Sequence, residues 1–230
     1  MLRKPKENYW KMAVEGFLSI LAMMGITFIA AGRMDYWQLW IYGATLLFIT
    51  LYIFAAFVNK PDVVRERLRP GPGMKWWDKI FFAIFVPSYL VILIVAGLDA
   101  GRFSWTARLP VYVYAIGYAG LIISYLIIFW SMWANKFFSS VVRIQTERGH
   151  LVVESGPYRY VRHPGYIGAI LLVICSPLVL GSLWAMMPAG VMVVLLLVRT
   201  HLEDKTLRKE LAGYEKYAEK VRYRLLPGIW

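Results

Sequence analysis

The chain has 230 residues, of which 59% are hydrophobic, 16% aromatic and 17% charged. Soluble domains carry roughly 25% charged residues, and here the charges fall between long apolar runs, which excludes an ordinary soluble fold and points to an all-α integral membrane protein. The net charge of +12 is of the kind that nucleic-acid binders carry, but its placement along the chain gives it another meaning, and no nucleic-acid partner is expected.

Apolar runs cover residues 12–32, 37–58, 80–98, 110–134, 167–182 and 184–200. Each of the first four is long enough to cross a hydrocarbon core of about 30 Å at about 1.5 Å per residue. Lys and Arg cluster in 1–11, 59–79, 135–165 and from Arg199 onward. Only Arg33, Arg102 and Arg108 lie in the alternate connections, so 23 of 26 basic residues share one side. Cytoplasmic loops carry that excess. The pattern predicts about six transmembrane helices with both termini in the cytoplasm, and membrane lipids as secondary partners of the basic loops. The first run follows basic residues and ends near Ala30-Ala31-Gly32, but it is too long for the apolar core of a secretory signal, so it is read as the first helix.

Arg65-Glu66-Arg67-Leu68-Arg69 is read as a short interfacial helix broken by Pro70-Gly71-Pro72-Gly73. Pro87 lies inside the third run, where proline kinks a helix. Gly117, Gly120 and Ser124 give the fourth run a small-residue face for close helix packing. The fifth and sixth runs span only about 25 Å each at the helical rise, and Gly181-Ser182-Leu183 alone separates them. They are read as a tight helical hairpin whose second helix continues to about Leu211. Cys175 is the single cysteine; it is read as a packing residue, and no Cys/His spacing suits a metal, so no metal site is expected. Residues 1–134 thus form an N-terminal four-helix transmembrane region, and 135–230 a C-terminal core.

That core opens on Gly156-Pro-Tyr-Arg-Tyr-Val-Arg-His-Pro-Gly-Tyr-Ile-Gly168, which runs directly into an apolar helix. Polar side chains at a membrane edge are expensive and usually functional. Arg199 and Glu203 leave the apolar region on the next helix and, four apart, share a face. Taken singly these features have plain readings. Arg199 and Glu203 make an i,i+4 ion pair, Arg159 and Arg162 are interfacial anchors, and His163-Pro164 starts a helix.

Taken in order, they resemble the isoprenylcysteine carboxyl methyltransferase family. The resemblance rests on Gln145, His150-Leu151-Val152-Val153, Gly156-x-Tyr158, Arg162-His163-Pro164-x-Tyr166-x-Gly168, Arg199-x-x-x-Glu203-x-x-x-Leu207, Gly213, Tyr217 and Val221 to Pro227. It implies an S-adenosylmethionine cofactor held without a dinucleotide fold. Gln145, His150, Leu151, Val152, Val153, Tyr158, His163, Pro164, Gly165, Tyr166 and Glu203 would line that site, and Arg199 would face the acceptor as the catalytic, substrate-binding residue. The common family pattern has paired glutamates where this chain has Glu203-Asp204.

Methyl transfer from a sulfonium to an anion is an in-line displacement that depends on positioning and exclusion of water. Tyrosine faces suit the cation, a carboxylate suits the cofactor's amino or hydroxyl groups, and the arginine fork suits an anionic acceptor. The acceptor is expected to be a lipid or hydrophobic small molecule; an isoprenylcysteine-type carboxylate, a small thiol and a lipid amine all remain open. Two other readings stand beside these. Membrane sterol-type reductases using NADPH share a similar His-Pro-x-Tyr region, and a non-catalytic membrane binding or scaffold protein would carry the same helices. The charge asymmetry is directly testable: reporters fused after Trp230 and within 99–109 should report opposite sides of the membrane, and a common side would overturn the topology.

Overall fold

The computed structural model describes residues 9–57, 61–68 and 70–230. Arg3, Lys4, Lys6, Lys60 and Arg69, which contribute to the charge asymmetry, lie outside the described residues. Among the described residues there is no strand. The helices are α1 (Tyr9–Ala31), α2 (Trp37–Ala56), α3 (Pro61–Leu68), α4 (Trp76–Ala96), α5 (Val111–Ala134), α6 (Pro164–Val179), α7 (Met186–Glu210) and α8 (Tyr214–Lys220).

Five of them, α1, α2, α4, α5 and α7, are long and apolar enough to cross a membrane. Only 11% to 28% of each such span is buried within the molecule. Ile29, Phe48 and Val111 are each at least 70% exposed, a surface that needs an apolar solvent. The sixth expected pass, α6, is apolar but has 16 residues, about 24 Å of helix. Its start is fixed by Pro164 at the first helical position, and its end by the turn at Gly181 with φ +76°. The connection to α7 is correspondingly short, so the expected hairpin is present. The short helix expected after residue 60 is α3, and α4 runs through Pro87 without a break.

The small-residue face of α5 is the seam against α6. A Cβ on Gly120 would sit 2.3 Å from Cys175 Sγ, and one on Gly117 2.8 Å from Val179. Gly168 on α6 answers from the other side: a Cβ there would meet Ser124 O at 2.7 Å. Cys175 is therefore a packing residue, as its isolation in the sequence suggested. At the C-terminal end of α4 the chain winds into a π-helical segment, Gly97–Phe103. Its fully buried Asp99 accepts hydrogen bonds from Thr106 N, Thr106 Oγ1 and Ser182 Oγ, each at 2.6 Å. This knot ties α4 to the α6–α7 turn. It lies some 30 Å from Asp78, the length of helix between the two residues.

Overpacking costs about 1–3 kcal/mol, so Gly168→Ala should lower the thermal unfolding temperature in detergent. Gly190→Ala on α7, where nothing lies within 4 Å of the added atom, should leave it unchanged or raise it. Equal effects would contradict the close α5–α6 seam.

Candidate active site

Where α7 emerges from the apolar region it carries Arg199, Glu203 and Asp204, and each is bound to a different part of the chain. Arg199 donates from Nε to Asp78 Oδ1 at 2.7 Å and from Nη2 to Asp78 Oδ2 at 3.1 Å, with a further bond to Ser140 O at 2.6 Å. Asp78 is fully buried in the first turn of α4, where the helix dipole also favours a carboxylate, and it accepts Val142 N at 2.7 Å. The guanidinium lies over the rings of Phe81 and Phe82, 4.5 and 4.9 Å from their centroids. Glu203 accepts the Tyr166 hydroxyl. Arg199 and Glu203 share a face as expected, but the plain reading of an i,i+4 ion pair does not hold: Arg199 is paired with Asp78, and Glu203 makes no ion pair with any described residue.

Asp204, one residue further and wholly buried, is a hub. It accepts from Arg162 Nε at 2.7 Å and Nη2 at 3.2 Å, and from Tyr214 Oη at 3.1 Å. His163 Nε2 is 3.1 Å away, and Arg208 and Arg224 approach at 3.2 and 3.1 Å. Arg162 also donates Nη1 to Val221 O and Arg222 O, both at 2.7 Å. The backbone completes the clasp, with Arg162 N to Tyr223 O and His163 N to Arg224 O, each 3.0 Å. One carboxylate thus joins the His-Pro segment, α7 and the C-terminal tail. Arg162 is a buried structural cation, not an interfacial anchor.

The segment 135–153 forms the remaining wall. Arg143 is buried against Glu66 of α3, with Nε and Nη2 each 2.9 Å from its carboxylate oxygens. Gln145 is committed at both ends of its amide: Nε2 donates to Phe137 O at 2.7 Å and Oε1 accepts Arg148 Nη1 at 2.6 Å. His150 Nδ1 accepts Gln145 N at 3.2 Å. Burial, then the charges of Arg143 and Arg148, lower its pKa to about 4, so it is a neutral imidazole at pH 7 with its proton on Nε2. Burial also pushes the Tyr158 hydroxyl above its ordinary range, and that hydroxyl accepts Asn135 Nδ2 at 3.3 Å. Leu151, Val152 and Val153 follow in irregular backbone that bonds to no other described residue. Their amide and carbonyl edges are open.

These elements enclose one cavity of about 420 Å³, within the roughly 300–1,000 Å³ typical of small-molecule sites. It brings together Gln145, His150, Leu151, Val152, Val153, Tyr158, His163, Gly165, Tyr166, Arg199 and Glu203. Pro164 alone of the expected residues is not on its wall; it is buried at the start of α6. The cavity has two chemically different ends. The end bounded by 145–158, Glu203 and Tyr214 is the more polar, with Gln145, His150 and Glu203 among Leu151, Val152, Val153 and Leu207. The other runs along α4 and α6 past Phe82, Phe85, Tyr89, Ala169 and Val173. The spacing of Phe82, Phe85 and Tyr89 places them on one helical face, reaching about 10 Å along the helix. Tyr89 Oη bonds Tyr42 Oη at 2.6 Å, which in turn bonds Ser176 Oγ at 2.9 Å.

Sequence reasoning did not find Asp78, Arg67, Asn135, Phe137 or the α4 aromatics. Asp78 carried a usable signal, as an acid just before an apolar run. The α4 aromatics carried none, because nearly every position of that helix is apolar and no face stands out.

Fold and cavity together define a multi-pass helical membrane protein with a two-ended site where its last two apolar helices leave the apolar region. Residues 115–209 match the family model described as the isoprenylcysteine carboxyl methyltransferase (ICMT) family. Among curated proteins it is similar to the protein-S-isoprenylcysteine O-methyltransferase of Schizosaccharomyces pombe, 37% identical over 49 residues, 21% of each chain. It is similar also to a probable protein-S-isoprenylcysteine O-methyltransferase of Oryza sativa subsp. indica, 31% identical over 99 residues, 38% of this chain and 47% of that one. The lamin-B receptor of Drosophila melanogaster is 27% identical over 100 residues, 42% of this chain and 14% of that one. The matches thus span less than half the length of each of these relatives.

The two neighbouring acids of α7 should separate cleanly by stability. Removing Asp204 leaves Arg162 buried without its partner, which costs roughly 3–5 kcal/mol, so Asp204→Ala should fold poorly or unfold far below wild type. Glu203→Gln keeps an acceptor for Tyr166 and should unfold near the wild-type temperature. Similar unfolding temperatures for both variants would remove Asp204 from its role as the hub.

Proposed function

We propose that this protein is a membrane methyltransferase that binds S-adenosylmethionine at the polar end of the cavity and methylates the carboxylate of an S-prenylated cysteine whose chain occupies the apolar arm. The observation that carries this reading is the junction of two unlike ends in one cavity, beside a carboxylate, Glu203, that has no ion-pair partner among the described residues of a chain of net charge +12.

The residues present fit the donor. Its ammonium requires an anion, and Glu203 Oε1 is left open when Tyr166 occupies Oε2. Its adenine requires edge-on donors and acceptors, and the open backbone of Leu151–Val153 supplies them. Its sulfonium suits aromatic faces, which Tyr158 and Tyr166 offer. When bound, the donor supplies a methyl carbon activated by the adjacent positive sulfur. The protein's own work is then positional. Asp204 fixes His163 and hence the first turn of α6, Arg199 borders the junction with Nη1 bonded to no described residue, and the aromatic arm excludes water. An ionised carboxylate needs no base, so transfer converts an anion and a cation into two neutral groups with no proton moved. The regions around Arg67, Tyr158 and Glu203 belong to three basic segments and meet at this one cavity, which supports a cytoplasm-facing site and, with it, cytoplasmic termini.

The reading is tested by titrating purified protein with S-adenosylmethionine and with NADPH, then following label from the donor's methyl group into N-acetyl-S-farnesyl-cysteine, a small thiol and a lipid amine. The expected outcome is binding of S-adenosylmethionine and labelling of the farnesylcysteine acid, with donor affinity about 10- to 100-fold weaker in Glu203→Gln. Binding of NADPH alone would overturn the methyltransferase reading, and labelling only of the thiol or amine would overturn the carboxylate acceptor.

A further inference from the structure

Arg199 is the expected grip for an anionic acceptor, yet its charge is already spent. It holds a bidentate pair with Asp78, a carboxylate of 0% exposure, and donates a further bond to Ser140 O. Seen from the cavity, Arg199 and Asp78 together are close to neutral. Such a pair can offer a hydrogen bond but attracts an anion only weakly.

Of the other arginines on the cavity wall, Arg143 and Arg162 are paired with Glu66 and Asp204, which leaves Arg67. Arg67 on α3 is half-buried, with its guanidinium 5.2 Å from the centroid of the Phe138 ring. Its protein bonding is thin: one long contact, Nη1 to Ser139 O at 3.4 Å, and no ion pair among the described residues. Its neighbour Glu66 is fully engaged elsewhere, by Arg143 and by Ser139 Oγ at 3.0 Å. Burial and the nearby positive charge of Arg199 hold Arg67 below its ordinary value, at about 10, so it stays charged at neutral pH. Two guanidinium groups therefore approach one cavity wall, and one of them, Arg67, has no counter-ion among the described residues. A low-dielectric pocket tolerates that arrangement poorly unless an anion enters.

We infer that Arg67 is the residue that recognises the acceptor's carboxylate, with Arg199 Nη1 as the second arm of the clamp and Asp78 holding that arm in place. This inference rests on the proposed methyl transfer and names the group that makes the site selective for an acid. No described residue bonds Nε or Nη2 of Arg67, and the two present the planar fork that matches a carboxylate. The same contact explains turnover. Once the carboxylate oxygen has taken the methyl group and the carbon–sulfur bond has broken with its electron pair on sulfur, the product is a neutral ester. Arg67 then loses its charge partner, and the clamp favours release.

The test compares binding of N-acetyl-S-farnesyl-cysteine with that of its methyl ester, by calorimetry on purified protein, for wild type, Arg67→Gln and Arg67→Lys. S-adenosylmethionine affinity serves as the control for an intact site. Wild type should bind the acid more tightly than the ester. Arg67→Gln should lose about 10- to 100-fold in acid affinity while ester and S-adenosylmethionine affinities change little, and Arg67→Lys should fall between. A purely structural role would weaken acid and ester alike and would overturn the inference. So would an Arg67→Gln variant that keeps the full preference for the acid, which would return recognition to Arg199 while leaving the methyltransferase reading intact. Failure of wild type to bind S-adenosylmethionine at all would instead overturn that reading, and the inference with it.

Discussion

A carboxylate carried out of water must be surrounded by donors or neutralised, and Asp204 is the clearest case in this chain. It is wholly buried, on a helix that is otherwise apolar for most of its length. The donors that satisfy it come from the His-Pro segment, from α8 and from the tail, so satisfying one charge assembles three distant pieces of sequence. Asp78 imposes the same condition at the start of α4, where it fixes Arg199 and the backbone at Val142. Arg143 and Glu66 repeat it between the long loop and α3. The polar end of the cavity is thus framed by buried ion pairs, and the apolar end by close helix packing.

Neighbouring positions on a helix point about 100° apart, and α7 uses that angle to divide two duties between Glu203 and Asp204. Asp204 turns into the scaffold and is saturated. Glu203 turns to the cavity and keeps one oxygen open. Arg199, one turn earlier, belongs to the frame through Asp78 and to the cavity through its remaining nitrogen. The resulting field is oriented. A negative group, Glu203, and a positive group, Arg67, which has no ion pair among the described residues, both line the cavity, so a cationic donor and an anionic acceptor would each be drawn to its own side. In a water-poor site such fixed charges act more strongly than they do in bulk solvent.

Much of this could be read in the sequence because membrane chains signal topology through long-range composition. The apolar runs gave the helices, and the Gly117, Gly120 and Ser124 spacing gave the α5–α6 seam. The His163 to Tyr166 segment, together with Arg199 and Glu203, gave part of the cavity wall. What could not be read were pairings across long separations. Nothing near Arg199 in the chain indicates that its partner is Asp78, 121 residues earlier, and the i,i+4 neighbour Glu203 was the natural local candidate. Arg67 was hidden for a different reason. In a run of solvated-looking charges, one arginine looks like the rest until the fold turns it toward a cavity.

Central to this account is the claim that the polar end of the cavity holds S-adenosylmethionine against an open stretch of backbone. Hydrogen exchange with and without S-adenosylmethionine measures this directly, because the amides of Leu151–Val153 have no acceptor among the described residues to protect them. The account predicts fast exchange of these amides in the free protein and marked slowing on addition of S-adenosylmethionine, confined to this segment and the start of α6. Unchanged exchange there, with protection appearing elsewhere in the chain, would contradict it.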